Sequence, residues 1–316
     1  MVRIGVDLGG TNIAFGLLDD EGNIKTKKSV KTALPRPAHE IAGTIGEVVR
    51  ELMDEEGLSC GDILQVGVGT PGAVENDGTV SFSSNLGFRE TPLRSLLEKE
   101  LPGITVKIGN DANCAALGES IAGAGKGCRD FIAVTLGTGI GGGILVGGHL
   151  LTGVNGAAGE IGHMTIKTDG LKCPCGRRGC FEQYASATAL IRQTMEALER
   201  DGEKKSLMWD LLTDGIPSVS GKTSFIAARE GDPLGMKVVE KYIDYLAEGT
   251  ANLINIFQPE VLCIGGGISR EGEFLLEPLR KRVLELEYTR GRKPATEIKA
   301  AYLGNDAGII GAAFLE

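Results

Sequence analysis

A short apolar strand, a glycine-rich turn and a second apolar strand occur twice in this chain, and the duplication limits the folds open to it. The first copy is Val2–Asp7, the turn Asp7–Thr11 and Ile13–Leu18; the second is Phe131–Leu136, the turn Gly137–Gly143 and a strand through Val146. Apolar runs of this length, bounded by turn residues, read as buried strands. Ile24–Val30, across the turn Asp19–Asn23, extends the first copy to a three-stranded antiparallel meander. Pro37–Glu56 then places Ile41, Ile45, Val48, Val49 and Leu52 at the spacing of an amphipathic helix that stops at Gly57. Ile63–Val68 is a buried strand, and Thr105–Ile108 is another that leads into Asn110-Asp111-Ala112-Asn113 and a helix to about Ala122. Later, Ala185–Arg200, Ser206–Leu212, Thr223–Arg229 and Leu234–Phe257 have helical spacing, and the strand Val261–Ile264 runs into Gly265-Gly266-Gly267-Ile268-Ser269. Ala307–Leu315 is expected as a small-residue helix that packs back onto the first domain. The alternation of strands and helices makes this an α/β chain.

At 316 residues the chain has room for two domains, at about 100–200 residues each. Glycine supplies 48 of them, roughly 15% against a typical 7% or so, with no collagen period, so the excess is expected in turns that approach something closely. The formal charge of −9, with no basic stripe, argues against nucleic acid as a partner. An anionic ligand then needs backbone amides and a metal ion. Seven cysteines is an odd number; Cys60, Cys114, Cys128 and Cys263 stand singly, as thiols do in a reducing cytoplasm. The N-terminus has no charged and apolar leader pattern. The most apolar window, Phe131–Gly148, is interrupted by seven glycines, so no membrane span and no membrane partner is expected.

The turn Asp7-Leu8-Gly9-Gly10-Thr11-Asn12 sits between two strands, where its amides and the Thr11 hydroxyl form a nest suited to phosphate; an ordinary hairpin turn is the alternative. Leu136–Gly143, with Thr138 between glycines, repeats that chemistry. Neither is a Walker A loop or a dinucleotide fingerprint, since no Gly-Lys-Ser/Thr follows and each joins strand to strand. Asp111, where a buried strand meets a helix, is either a helix cap or a carboxylate placed for proton abstraction. Thr70-Pro71-Gly72 and Ser84-Asn85-Leu86-Gly87 read as plain turns, and Gly265–Gly267 as a helix entry or a surface for a nucleotide's purine and ribose. His39 and His149 look like surface residues.

Between Glu160 and Glu182 lies His163-x9-Cys173-x-Cys175-x4-Cys180. Three thiolates and one imidazole suit tetrahedral Zn²⁺, and four protein ligands close the site, so the metal is expected to fix the loop rather than activate water. Cys-Pro-Cys-Gly forms a tight knuckle. Reduced core cysteines beside an incidental histidine are the alternative. In the zinc reading the polar residues the loop positions, Glu160, His163 and Glu182, matter most.

Taken together, Asp-Leu-Gly-Gly-Thr-Asn at 7–12, Gly-Asn-Asp-Ala-Asn at 109–113, Leu-Gly-Thr-Gly-Ile-Gly-Gly-Gly at 136–143, Glu-Ile-Gly-His at 160–163 and Cys-Pro-Cys-Gly-Arg-Arg-Gly-Cys-Phe-Glu at 173–182 resemble the ROK family of sugar kinases, repressors and open reading frames, and within it the bacterial ATP-dependent glucokinases. The resemblance covers essentially the whole chain. It implies an actin-like, ribonuclease-H-like fold of two α/β domains with five-stranded mixed sheets closing over a cleft: a small domain of 1–111 plus 303–316, and a large one of 112–302 carrying the zinc loop. It implies ATP phosphates on Gly9, Gly10, Thr11 and Asn12 and on Gly137, Thr138 and Gly139, with Mg²⁺ near Asp7 and adenosine beside Gly265, Gly266 and Gly267. The sugar is expected on Gly72, Asn85, Asn110, Asp111, Glu160, His163 and Glu182, with Asp111 as general base in phosphorylation of the glucose 6-hydroxyl.

His163 would then bind zinc through one ring nitrogen and the sugar through the other. Kinases of fructose, allose or N-acetylmannosamine share these motifs, and a non-catalytic sugar-binding regulator is a further alternative. A sugar-responsive repressor is not expected, since the first phosphate turn at Asp7 and the net charge speak against a DNA-binding module, and a non-catalytic sugar-binding protein is not expected because Asp111 and both turns are intact. The resemblance further implies a cytoplasmic enzyme of carbohydrate metabolism and glycolysis, assembled as a dimer or tetramer.

Overall fold

A computed structural model describes residues 1–316. It contains strands β1 (Val2–Leu8), β2 (Asn12–Leu18), β3 (Ile24–Lys31), β4 (Ile63–Thr70), β5 (Ala73–Val74), β6 (Val80–Ser83), β7 (Phe88–Thr91), β8 (Val106–Asn110), β9 (Phe131–Leu136), β10 (Ile140–Val146), β11 (His149–Leu150), β12 (Val261–Gly266) and β13 (Glu297–Ala300). The helices are α1 (Ala38–Glu55), α2 (Leu93–Glu100), α3 (Asp111–Ala122), α4 (Glu182–Ala185), α5 (Ala187–Arg200), α6 (Thr223–Arg229), α7 (Pro233–Phe257), α8 (Glu273–Leu286) and α9 (Asp306–Ala313).

The first sheet has the order β3-β2-β1-β4-β8; β1 pairs antiparallel with β2 and parallel with β4, and β4 pairs parallel with β8. The second sheet, β11-β10-β9-β12-β13, repeats that order of third, second, first, fourth and fifth strand. A small antiparallel sheet, β5-β6-β7, lies between Thr70 and Pro92, where the sequence suggested only turns. Its strands have two to four residues, too short for the period-2 pattern to register.

Two compact units divide the chain: Met1–Ala133 with Gly143–Gly159 and Tyr302–Glu316, and Val134–Gly142 with Glu160–Ala301. The first therefore extends beyond the expected 1–111 plus 303–316, because α3 packs along α9 inside it. Helix α9 also lies directly on the sheet. A Cβ at Gly5 would come within 1.9 Å of the Ile309 carbonyl oxygen, and one at Gly67 within 1.7 Å of that of Ala312. Part of the glycine excess thus sits mid-strand beneath a helix, whereas composition pointed to turns. Ile4, Val6, Phe15, Ile41, Ile45, Val66 and Val68 form the core between sheet and α1.

In the second unit α7 is the central helix. Asp232 starts it, its carboxylate accepting from the Gly235 N–H with Pro233 in the first turn, as helix starts favour. Tyr242 of α7 is fully buried, packs edge-on to Phe225 at 6.4 Å and donates its hydroxyl to the Ala185 carbonyl at 2.8 Å. That bond ties the region after the metal-ligand loop to the core. No helix is long and apolar enough to cross a membrane.

Candidate active site

In the first unit, strand and helix ends set the polar groups. Asn110 ends β8 and caps α3: its Oδ1 accepts from the Ala112 N–H at 2.9 Å and the Asn113 N–H at 3.1 Å, while its Nδ2 donates to the Gly72 carbonyl at 3.0 Å. The capping role that the sequence left open for Asp111 therefore falls to Asn110. Asp111 is the first helical residue, its Oδ1 accepting from Ala112 at 2.8 Å. Burial pushes the Asp111 carboxyl up, against the lowering effect of hydrogen bonds led by that from Ala112. Asp7, on β1, is raised to about 6 by burial and then by the charge of Asp111. Two carboxylates in one partly dry place, with no cation among them, suit a hard divalent ion with oxygen ligands. Cys114, one turn further along α3, is fully buried, and burial with both aspartates pushes its thiol up.

The first glycine turn leaves β1 beside Asp7. Gly9 N–H donates to the Asn12 carbonyl at 3.0 Å, and Thr32 braces the turn, its hydroxyl donating to the Gly9 carbonyl at 2.6 Å and its N–H to the Thr11 carbonyl at 3.0 Å. Thr32 is fully buried and was not singled out from the sequence; its role depends on the β2–β3 register, where Asn12 faces Lys31. Gly10, Thr11 and Asn12 are exposed. Asn85 is exposed too, its carbonyl 3.8 Å from where a Gly10 Cβ would stand.

In the second unit, Glu182 links the second glycine turn to the cysteine loop. Its Oε2 accepts from the Ile140 N–H at 3.2 Å, and a Cβ on Gly139 would fall 2.1 Å from that oxygen. A Cβ on Gly162 would lie 2.2 Å from the Ile140 carbonyl oxygen, so the turn and the Glu160–His163 segment touch backbone to backbone. Gly137 closes the turn on Gly139 at 3.0 Å, and the Ala187 N–H donates to the Gly137 carbonyl at 2.9 Å. Gly266, at φ 87°, passes under Leu136, and Gly267 opens a 3-10 turn to Glu271, so the Gly265–Gly267 segment is a helix entry beside the same turn.

His163, Cys173, Cys175 and Cys180 bring all four ligand atoms within 4.8 Å of one another. The Cys173 Sγ to His163 Nδ1 distance is 3.7 Å, and Cys175 Sγ to Cys180 Sγ is 3.7 Å. Tetrahedral Zn²⁺ with bonds of about 2.3 Å to sulfur and 2.0–2.1 Å to nitrogen sets ligand edges at roughly 3.5–3.8 Å, so the donor set fits that ion. Burial pushes the Cys180 thiol up to about 12, which makes a bare thiolate there costly and a cation welcome. The loop's backbone is fixed independently by Tyr184, whose hydroxyl accepts from the Leu171 N–H at 2.6 Å, and by the Ile166 N–H to Gly179 carbonyl bond at 2.9 Å. Glu160 is exposed at the loop's start, and the His163 N–H donates to its carbonyl at 3.1 Å.

The site thus groups the predicted residues in two sets: Asp7, Gly72, Asn110 and Asp111 with the turn at 9–12, and Glu160, His163 and Glu182 with the turn at 137–139 and the metal ligands. The ROK family profile matches residues 3–316, and the chain belongs to the ROK family. It is 40% identical over 317 residues to the glucokinase of Streptomyces coelicolor, covering 99% of this chain and 97% of that protein. It is 41% identical over 317 residues to the glucokinase of Thermotoga maritima, covering 98% and 95%. Among solved structures, the ROK glucokinase of Streptomyces griseus in complex with glucose and AMPPNP superposes with a TM-score of 0.79 at 38% identity, covering 99% of this chain and 98% of that one. The fold is the actin-like one of these sugar kinases.

Proposed function

We propose that this chain transfers the γ-phosphoryl group of ATP to the 6-hydroxyl of glucose. The observation that carries the reading is the division of labour at the start of α3: Asn110 caps the helix, and Asp111 is left as a half-buried carboxylate with a raised pKa beside Asp7. Asp111 accepts the hydroxyl proton as O6 bonds to the γ-phosphorus and the bond to the β-phosphate oxygen breaks. Asp7 would hold Mg²⁺, which supplies charge neutralisation for the phosphates. The turns at Gly9–Asn12 and Gly137–Gly139 cradle phosphate through backbone amides, and Gly265–Gly267 flanks the adenosine.

Gly72, Asn85, Asn110 and Asp111, and with them Glu160, His163 and Glu182, hold the hexose. His163 Nδ1 faces the Cys173 sulfur, which leaves Nε2 for a sugar hydroxyl. A structural Zn²⁺ on His163, Cys173, Cys175 and Cys180 fixes that ring's direction. A buried acceptor left unpaired by the wrong epimer costs about 1–3 kcal/mol, roughly 5- to 150-fold in selectivity. The glucokinase names of relatives at about 40% identity support glucose as the hexose. The enzyme acts in the cytoplasm at the entry of glucose into glycolysis, as a dimer or tetramer.

The test is an ADP-release assay with MgATP across glucose, mannose, fructose, allose, N-acetylglucosamine and N-acetylmannosamine. Glucose is expected at least about tenfold ahead in kcat/KM, a margin of roughly 1.4 kcal/mol. Another sugar ahead replaces the substrate and keeps the chemistry; activity with none overturns the reading.

A further inference from the structure

Beside the start of α3, within the first unit, lies a cavity of about 260 Å³, and of its lining only Asn110 belongs to the residues assigned to the hexose. It is well above the roughly 10–15 Å³ that one water needs and just short of the roughly 300 Å³ at which small-molecule pockets begin. Asn113 lines it, is only 5% exposed, and has an Oδ1 with no hydrogen-bond partner in the protein. A buried amide oxygen without a donor is unusual enough to ask for one from the cavity. Around it the wall is apolar: Ile108, Leu117, Leu150 and Leu315. The rim carries the exposed Glu75, Glu316 and Thr152, and no lysine or arginine lines the space.

We propose that this cavity is a binding site for an uncharged polyhydroxylated small molecule of monosaccharide size or below. Hydroxyl donors satisfy Asn113 Oδ1 and the rim carboxylates, the C–H faces of a polyol match the leucine and isoleucine wall, and the rim carboxylates Glu75 and Glu316, the latter 3.1 Å from His149 Nδ1 and with no lysine or arginine beside them in the lining, turn away phosphates and other anions. Asn110 also lines the space. Its Oδ1 caps α3, so an occupant bears on the turn that carries Asp111.

Xylitol titrated into the full chain tests the site, with the side-chain amide NMR signals of Asn113 and the heat of binding as readouts. Saturable shifts of the Asn113 signals are expected, with no response to inorganic phosphate. Thr152→Trp, on the exposed rim, is expected to weaken binding at least tenfold, and Asn113→Leu to do the same; the rim variant carries the test should the buried one not fold. Absence of saturation, equal binding by Thr152→Trp, or an equal response to phosphate overturns the proposal. None of these readouts uses ATP or turnover, so the result is separate from whether the chain phosphorylates glucose.

Discussion

The two glycine turns match in sequence chemistry and differ in what holds them. The turn at Gly9–Asn12 is fixed by its own sheet: the β1–β2 pairing closes it, and Thr32 at the end of β3 braces two of its carbonyls. The turn at Gly137–Gly141 is fixed from outside its sheet, by Glu182 on the Ile140 N–H and by Gly162 against the Ile140 carbonyl. Both contacts belong to the stretch that carries His163, Cys173, Cys175 and Cys180. A duplicated strand pattern therefore gives two similar glycine turns, one braced from within its own sheet by strand pairing and the Thr32 hydroxyl and one whose geometry answers to the cysteine loop. The carboxylates follow the same division: Asp7 and Asp111 sit on strand and helix ends, while Glu160 and Glu182 flank the cysteines.

The sharpest break of this comparison removes chemistry from the first set and leaves the second intact. Asp111→Asn is expected to lower kcat by about 10²–10⁴-fold while glucose binding and zinc content persist, measured by steady-state kinetics, calorimetry and metal analysis. In the unmutated chain kcat should fall as pH drops through the raised pKa of Asp111, since the base must be ionised. Turnover within a factor of ten of the parent would remove Asp111 from the base role.

The complementary break is at the metal. Purified chain is expected to hold about one zinc, and Cys175→Ala, at an exposed ligand, to lose it. Glucose affinity should then weaken by roughly 5- to 150-fold, one to three kcal/mol of lost hydrogen bonding, with a smaller change for the nucleotide. Hydrogen exchange should rise across 160–182 and 137–141 and stay unchanged at 7–12. Protection lost equally at both turns would show that the second is not specially tied to the loop.

Much of this was legible because the signals are local. The meander and β12 follow from short apolar runs, α1, α6 and α7 from helical spacing and α3 from its Ala, Leu and Glu content, and the spacing His163-x9-Cys173-x-Cys175-x4-Cys180 read as one cluster, as the structure has it. What escaped depends on tertiary placement. Gly5 and Gly67 look like weak strand residues until α9 lies on them, and Thr32 is one threonine among several until register sets it beside Gly9. The sequence pointed to Asp111 alone as a possible cap, and Asn110 takes the role because both residue types cap helices and only backbone geometry distinguishes them.

A paired substitution sharpens the contrast between the turns at smaller cost. In Gly139→Ala the new methyl meets Glu182 Oε2 at 2.1 Å, the far end of a flexible side chain, so the fold yields cheaply while Glu182 swings off the Ile140 N–H. In Gly10→Ala the nearest atom is 3.8 Å away and no contact is displaced. The first should change unfolding free energy by about 1 kcal/mol yet raise the KM for both substrates severalfold; the second should stay within about 0.5 kcal/mol and leave glucose KM unchanged. Equal effects on glucose KM would undo the proposed link between Glu182 and the second turn.

The last contrast concerns Asp7, whose pKa is about 6 in the fold against 3.8 ordinarily. A carboxyl raised on folding favours the native state below its unfolded pKa, and that contribution is lost as pH climbs through the folded value. Between about pH 4 and 6 the ionising Asp7 should therefore erode stability, by an amount on the order of 1–3 kcal/mol at neutral pH. Asp7→Asn should remove that slope in urea denaturation without metal, being more stable than the parent at pH 7 and equal to it near pH 3. Mg²⁺ should narrow the gap at pH 7 by stabilising the parent more than the variant, which keeps Asp111 as its one carboxylate at that place. No sheet position in the second unit's turn carries an equivalent carboxylate, Thr135 standing there on β9, so the slope is a signature of the first set.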